Sequence, residues 1–161
     1  AVGIAVARGL RLPLVWNCGG YESVEVLKLL EGIVDIYMPD MKYARKDTAE
    51  QFSRAADYFD RAREAVREMY RQVGDLTTEE GIAVRGLLIR HLVLPQDAAG
   101  TEEVLRFIAR EVSDNTYVNV MAQYRPCGNP PPPLDRRITR HEYHAAVQSA
   151  VRLGLIRGLG L

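Results

Sequence analysis

The run Ile33-Val34-Asp35-Ile36-Tyr37-Met38-Pro39-Asp40-Met41-Lys42-Tyr43 constrains the fold more than any other stretch of the chain. It reads as a buried strand that ends by releasing an acid and a base. Asp40 and Lys42 are two residues apart and so fall on one side of an extended path. Pro39 has no N–H to give to a ladder, which puts the end of regular pairing near this point. The pattern recurs. Residues 14–17 are short and apolar and end at Asn17 before the paired-glycine turn Cys18-Gly19-Gly20. Residues 86–95 and 117–121 form two further apolar runs.

Helical signals lie between these runs. Ser23 can cap a helix carrying Val24, Val26, Leu27, Leu29 and Leu30, with Gly32 as its stop. Phe59, Ala62, Val66, Met69, Tyr70 and Val73 recur at spacings of three and four, the stripe of an amphipathic helix that Gly74 ends. Residues 46–57 read as a shorter helix or an ordered loop, and the polar residues 77–81 as a turn. Thr101 can cap a helix whose apolar face is Val104, Leu105, Ile108 and Val112. Thr139 and Glu142 fit a capping box before a last helix lined by Tyr143, Ala146, Val147 and Ala150. The prolines at 130–133 suggest a rigid connector or a docking site for a proline-reading module, and residues 156–161 a loosely docked tail.

Four strands alternating with helices define an α/β domain with about four parallel strands. At 161 residues, 47% hydrophobic, the whole chain, 1–161, is expected to be one domain with one core. Lys plus Arg equals Asp plus Glu at 21 each, so no net field recruits nucleic acid or an anionic membrane. No apolar run approaches the roughly 20 residues of a membrane helix, and a cytoplasmic location is the expectation. Cys18 and Cys127 are too few for a disulfide scaffold or a metal knuckle, and His91, His141 and His144 lack metalloprotease spacing. Neither a Gly-x-Ser-x-Gly turn nor a phosphate-binding glycine loop is present. The chain opens at Ala1 without Met, and residues 1–10 resemble the tail of a helix, so the start of the domain is expected to be missing.

In parallel sheets ligands bind beyond the carboxyl ends of the strands. The polar residues expected there are Asn17, Cys18, Asp40, Lys42, Arg90, Asn119 and Gln123. An acid, two cations and several amides describe a pocket for a zwitterionic or anionic small molecule. Arg90, flanked by Leu88 and Leu92, must find an anion, because an unpaired buried guanidinium costs several kcal/mol. His91 falls on the opposite face.

The motifs Leu14-Val15-Trp16-Asn17-Cys18-Gly19-Gly20, Tyr37-Met38-Pro39-Asp40-Met41-Lys42-Tyr43, Leu88-Ile89-Arg90-His91-Leu92-Val93-Leu94-Pro95 and Tyr117-Val118-Asn119-Val120-Met121-Ala122-Gln123-Tyr124, in this order, resemble successive strands of radical S-adenosylmethionine (SAM) proteins. The group they resemble most is that of the pyruvate formate-lyase activating enzymes. The resemblance implies the later part of a TIM-like partial (β/α)6 barrel. It implies a parent enzyme in which a [4Fe-4S] cluster reductively cleaves SAM to give a 5′-deoxyadenosyl radical for hydrogen abstraction. By the same resemblance Asn17, Asp40, Lys42 and Gln123 contact the cofactor and Arg90 meets a substrate carboxylate or peptide carbonyl, with Asn119 expected beside it on the substrate side. Asn17 stands where the activating enzymes have Asp.

The three-cysteine loop that holds the family's cluster is not in this sequence, nor is the glycine-rich motif for the SAM amino group. The chain alone is therefore expected to be inactive and to hold no metal, with no catalytic residue assigned. Its expected partners are a small-molecule cosubstrate, a protein target of the radical, and further copies of itself through an exposed barrel edge. The alternative is a non-catalytic α/β domain for binding or regulation by a small molecule. A Schiff-base aldolase using Lys42 ranks last.

Overall fold

The structure, a computed structural model, describes residues 2–159. Its strands are β1 (Val15–Cys18), β2 (Ile36–Pro39), β3 (Thr77–Glu79), β4 (Ile82–Leu92) and β5 (Tyr117–Met121). Its helices are α1 (Val2–Ala7), α2 (Val24–Leu29), α3 (Lys46–Ser53), α4 (Tyr58–Val73), α5 (Thr101–Phe107) and α6 (Arg140–Arg152). Strands β1, β2, β4 and β5 lie side by side in that order and all run parallel, so the molecule is an α/β protein built on a mostly parallel sheet.

The long β4 explains the layout. Its first residues pair antiparallel with β3 and its last five, Leu88 to Leu92, pair in register with β5. Residues 77–81, expected as a turn, are thus a strand and half of a tight hairpin. Glu80 (φ 50°) and Gly81 (φ 81°) supply the two positive φ angles that a two-residue turn matching strand twist requires. Where β4 passes from one partner to the other, Gly86 has φ 119° and packs so closely that a Cβ there would lie 2.4 Å from the Asp75 carbonyl oxygen.

Other boundaries shift for local reasons. Regular pairing in β2 begins at Ile36, because Ile33 and Val34 still bond to Leu30 at the end of α2; Asp35 leads into the strand, its N–H donating to Leu14 O and its carboxylate accepting the Leu14 N–H at 2.8 Å. Ser23 caps α2, accepting from the Val26 N–H, and Thr139 with Glu142 forms the full capping box of α6. At α5, however, the cap position is Gly100, with Thr101 the first helical residue. The regular turns of α5 give way to a π-type stretch, Ile108–Val112. The tail docks more firmly than the sequence suggests. Leu155 is fully buried, the Arg157 carbonyl accepts from Val118 N, and the Arg157 guanidinium reaches the carbonyls of Leu76 (2.6 Å) and Asn115 (3.1 Å). Residues 160 and 161 lie outside the described part.

Strand alternation divides the sheet into two unlike faces. Tyr37, Leu87, Ile89, Val93, Val118 and Val120 join one continuous core with Leu27, Ala62, Val66, Met69, Val104, Leu105, Ile108 and Ala150 from the helices. Gln72 of α4 ties this layer together, donating to the Leu27 carbonyl (2.9 Å) and accepting from the Tyr37 hydroxyl (2.7 Å). The opposite face carries Val15, Asn17, Met38, Asp40, Leu88, Arg90, Asn119 and Met121, none of which belongs to that core. Among the described residues no helix is long and apolar enough to cross a membrane.

Candidate functional site

The site lies on the second face, at the carboxyl ends of the parallel strands. One residue past β2, Asp40 makes a bridge to Arg90 of β4. The Arg90 guanidinium meets Asp40 Oδ1 from Nη2 at 2.7 Å and from Nε at 2.8 Å, and its Nη2 also donates to Asn17 Oδ1 at 2.8 Å. Three strands thus contribute one side chain each. The anion that Arg90 needs is Asp40, and both side chains are 25% exposed, so the pair is partly desolvated and still open to a ligand. Asn119 sits directly opposite Arg90 in the β4–β5 register and is exposed on the same face.

Lys42 follows Asp40 around the strand end. Its Nζ lies 3.7 Å from the point where a Cβ on Gly19 would stand. Asp40 and Lys42 form the polar rim of a cavity of about 270 Å³ whose walls include Tyr43, Leu92, Leu94, Met121, Tyr124 and Leu134. The arrangement offers a carboxylate, a guanidinium, an ammonium and an amide beside an apolar recess, which suits a zwitterionic molecule with a nonpolar portion. Gln123 is exposed beyond β5 and donates to Met121 Sδ at 3.2 Å, outside the Asn17–Arg90–Asp40 group. A larger groove of about 430 Å³ is lined by Val93 and Leu94 after β4 and by residues of α5 and α6, and by none of Asn17, Asp40, Lys42 and Arg90. Its Glu102 and Arg152 pair with each other at 3.5 Å, and its Asp97 with Arg45 at 3.0 Å.

The backbone under the site is held at every polar group from Asp40 N to Lys42 N. Asp40 N donates to Cys18 O (3.0 Å) and Met41 N to Arg90 O (2.9 Å). The buried Tyr58 of α4 shares its hydroxyl proton between the carbonyls of Gly19 (2.9 Å) and Asp40 (2.8 Å) and accepts the Lys42 N–H (3.0 Å). His91 Nδ1 meets the Met41 carbonyl at 2.7 Å. Gly20 completes the frame, since a Cβ there would lie 2.2 Å from Asp40 O.

Neither Tyr58 nor the contact of His91 is visible in the sequence pattern. Tyr58 precedes the apolar stripe of its helix, and His91 occupies an inward position that any apolar residue would fill. Cys18 faces the helices, not the site. Its thiol is pushed up to about 11, mainly by burial, and stays protonated at neutral pH. Among the described residues no three His, Cys, Asp or Glu side chains gather as a metal would require. His141 and His144 are exposed on α6.

Two of the comparisons with known proteins are negative: no family model and no solved structure matches the chain. The chain is 35% identical over 147 residues to the uncharacterized protein MJ0674 of Methanocaldococcus jannaschii. That match covers 89% of this chain and 39% of the archaeal protein, so the chain spans well under half the length of its relative.

Proposed function

We propose that this chain is the later part of a radical SAM enzyme of the activating-enzyme type, contributing one wall of the SAM and substrate pocket in a partial (β/α)6 barrel. The observation that carries this reading is the Asn17–Arg90–Asp40 group at the carboxyl ends of three parallel strands, on the sheet face that the helices leave uncovered. A parallel sheet with helices on one side suits the wall of a barrel, whose other face would then line the lumen. Asp40, Asn17 and Lys42 would meet the amino-acid end of SAM, and the recess beside Leu92, Met121 and Tyr124 would take a flatter portion. Arg90 keeps one edge of its guanidinium for a carboxylate or carbonyl of the substrate.

The residues present do not fit the iron–sulfur cluster. Cys18 points into the core and Cys127 lies in the exposed proline-rich loop, so no step through the cluster is assigned to this chain. What the chain's own residues do is orient: Arg90 and Asp40 neutralise each other in a partly desolvated setting, and the fixed Asp40–Lys42 backbone presents both charges in a set geometry.

The coding sequence immediately upstream of Ala1 tests the proposal. It should continue in frame and encode a Cys-x-x-x-Cys-x-x-Cys loop. A start codon directly before Ala1, or a continuing frame without the loop, would instead favour a small-molecule binding domain that never had a cluster. On the longer polypeptide, loaded with its cluster under exclusion of oxygen, equilibrium dialysis should show SAM affinity falling about tenfold in Asp40→Ala, the loss expected of one charge-assisted contact.

A further inference from the structure

His91 lies on the helix-covered face of β4, fully buried, directly after the site residue Arg90. A buried polar side chain needs partners for both ring nitrogens, and it has them. Nδ1 is 2.7 Å from the Met41 carbonyl oxygen and Nε2 is 3.0 Å from Thr101 Oγ1. A carbonyl can only accept, so Nδ1 carries the proton. In the neutral ring Nε2 must then accept the Thr101 hydroxyl proton. The contacts fix the tautomer, and with it the direction of the imidazole.

The consequence falls on the site. Met41 stands between Asp40 and Lys42 and is itself buried, so neither neighbour can be repositioned without turning its two peptide groups. Arg90 O holds the Met41 N–H and His91 holds the Met41 carbonyl. Thr101 opens α5, and its N–H is in turn bound by Asp97 Oδ1 at 2.8 Å. The turn after β4, the start of α5 and the charged strand end are therefore joined through one ring.

We infer that His91 is a positioning residue: its Nδ1–H fixes the Met41 carbonyl and so aims Asp40 and Lys42 into the pocket. This rests on the reading that those two residues form the pocket, but not on the identity of the ligand. The charged group acting on the ring is Asp97, already paired with Arg45, while Met41 and Thr101 are neutral. Burial favours the neutral ring against that charge, and it is in the neutral ring that Nε2 can also accept from Thr101.

The chain has three lysines, Lys28, Lys42 and Lys46, all exposed, so acylation of Lys42 can be read by peptide mass spectrometry against two internal standards. An asparagine at 91 places its amide N–H where Nδ1 stands, whereas a glutamine reaches toward Thr101 and abandons Met41. The labelling ratio of Lys42 to Lys28 and Lys46 should stay within about 1.5-fold of wild type in His91→Asn and in Thr101→Val. It should change at least threefold in His91→Gln. An unchanged ratio in folded His91→Gln, or an equal change in His91→Asn, would overturn the inference.

If either variant fails to fold, long-range ¹H–¹⁵N correlation on the wild-type chain decides. A protonated Nδ1 and bare Nε2 support the assignment, and the reverse tautomer refutes it. Because no ligand enters either measurement, the result stands or falls apart from SAM binding.

Discussion

Asp40 and Arg90, 50 residues apart in sequence, close a carboxylate–guanidinium pair at 2.7 Å across the ends of two neighbouring parallel strands. The pair needs the β2–β4 register, with Ile36 opposite Gly86, to carry on past Pro39 to an Asp40–Arg90 bridge, and β4 to run on past its β2 partners. Only then does the Asp40 carboxylate meet the Arg90 side chain on the open face.

A double-mutant cycle on Asp40→Ala and Arg90→Ala measures that relationship. With both side chains a quarter exposed, the coupling should be about 1–3 kcal/mol in urea unfolding, between that of a surface pair and that of a buried one. The Arg90 single variant should also release Asn17. Additive losses would mean that the two charges are solvated separately.

Gly20→Ala should be among the most damaging single-methyl changes in the protein. The position has φ +80°, and the new Cβ would stand 2.2 Å from the Asp40 carbonyl oxygen, which is backbone and already held by Tyr58. Strain and displacement together should cost about 2–4 kcal/mol. Gly32→Ala, at φ +76° but with open space around it, should cost about 1 kcal/mol. Comparable denaturation midpoints for the two variants would show that the strand end yields easily.

The pH dependence of stability follows from His91. Burial holds its folded pKa below the ordinary 6.5, outweighing the Met41 carbonyl and the Asp97 charge that favour protonation. The unfolded chain therefore binds a proton that the folded chain refuses. The stability contributed by the neutral ring is complete above about pH 6.5 and declines as pH falls from there toward the folded pKa, by up to about 1.4 kcal/mol per pH unit. Urea midpoints from pH 8 to 5 should fall for the wild type and flatten over the same window in His91→Asn. Parallel curves would remove His91 as the source.

The parallel α/β plan was legible because period-two alternation and glycine punctuation act locally. The same alternation put Arg90 and His91 on opposite faces, as the structure has them. Thr77-Thr78-Glu79 gave no strand signal because both of its faces are solvated, and only its turn chemistry at Glu80-Gly81 marks the hairpin. Thr101 looked like a cap because capping is what a threonine does at a helix start when no buried acceptor competes. Here His91 Nε2 takes its hydroxyl proton. Tyr58, Gly20 and His91 act on backbone groups 16 to 50 residues away, and no local pattern encodes such a contact.

The outer edge of β1 sets the last prediction. Leu14 and Cys18 bond toward β2, so the N–H and C=O groups of Val15 and Asn17 point away from the sheet. The far edge of β5 is partly covered by the tail at Arg157, but β1 has no strand beyond it among the described residues. Of the twelve exposed large hydrophobic residues among the described residues, nine fall in the sequence around β1, between Val2 and Ile33, including Ile4 at 62%, Leu12 at 75% and Leu29 at 77%. An open edge flanked by apolar surface recruits another strand and helix. Sedimentation across a concentration series should show self-association of the isolated chain. Val15→Pro, which removes an outward N–H without touching the β2 bonds, should shift the distribution toward monomer, and Leu12→Lys should do so through charge on the same border. A monodisperse wild-type monomer with a sharp cooperative melt would mean that the edge and its apolar margin need no partner, and would count equally against a barrel wall.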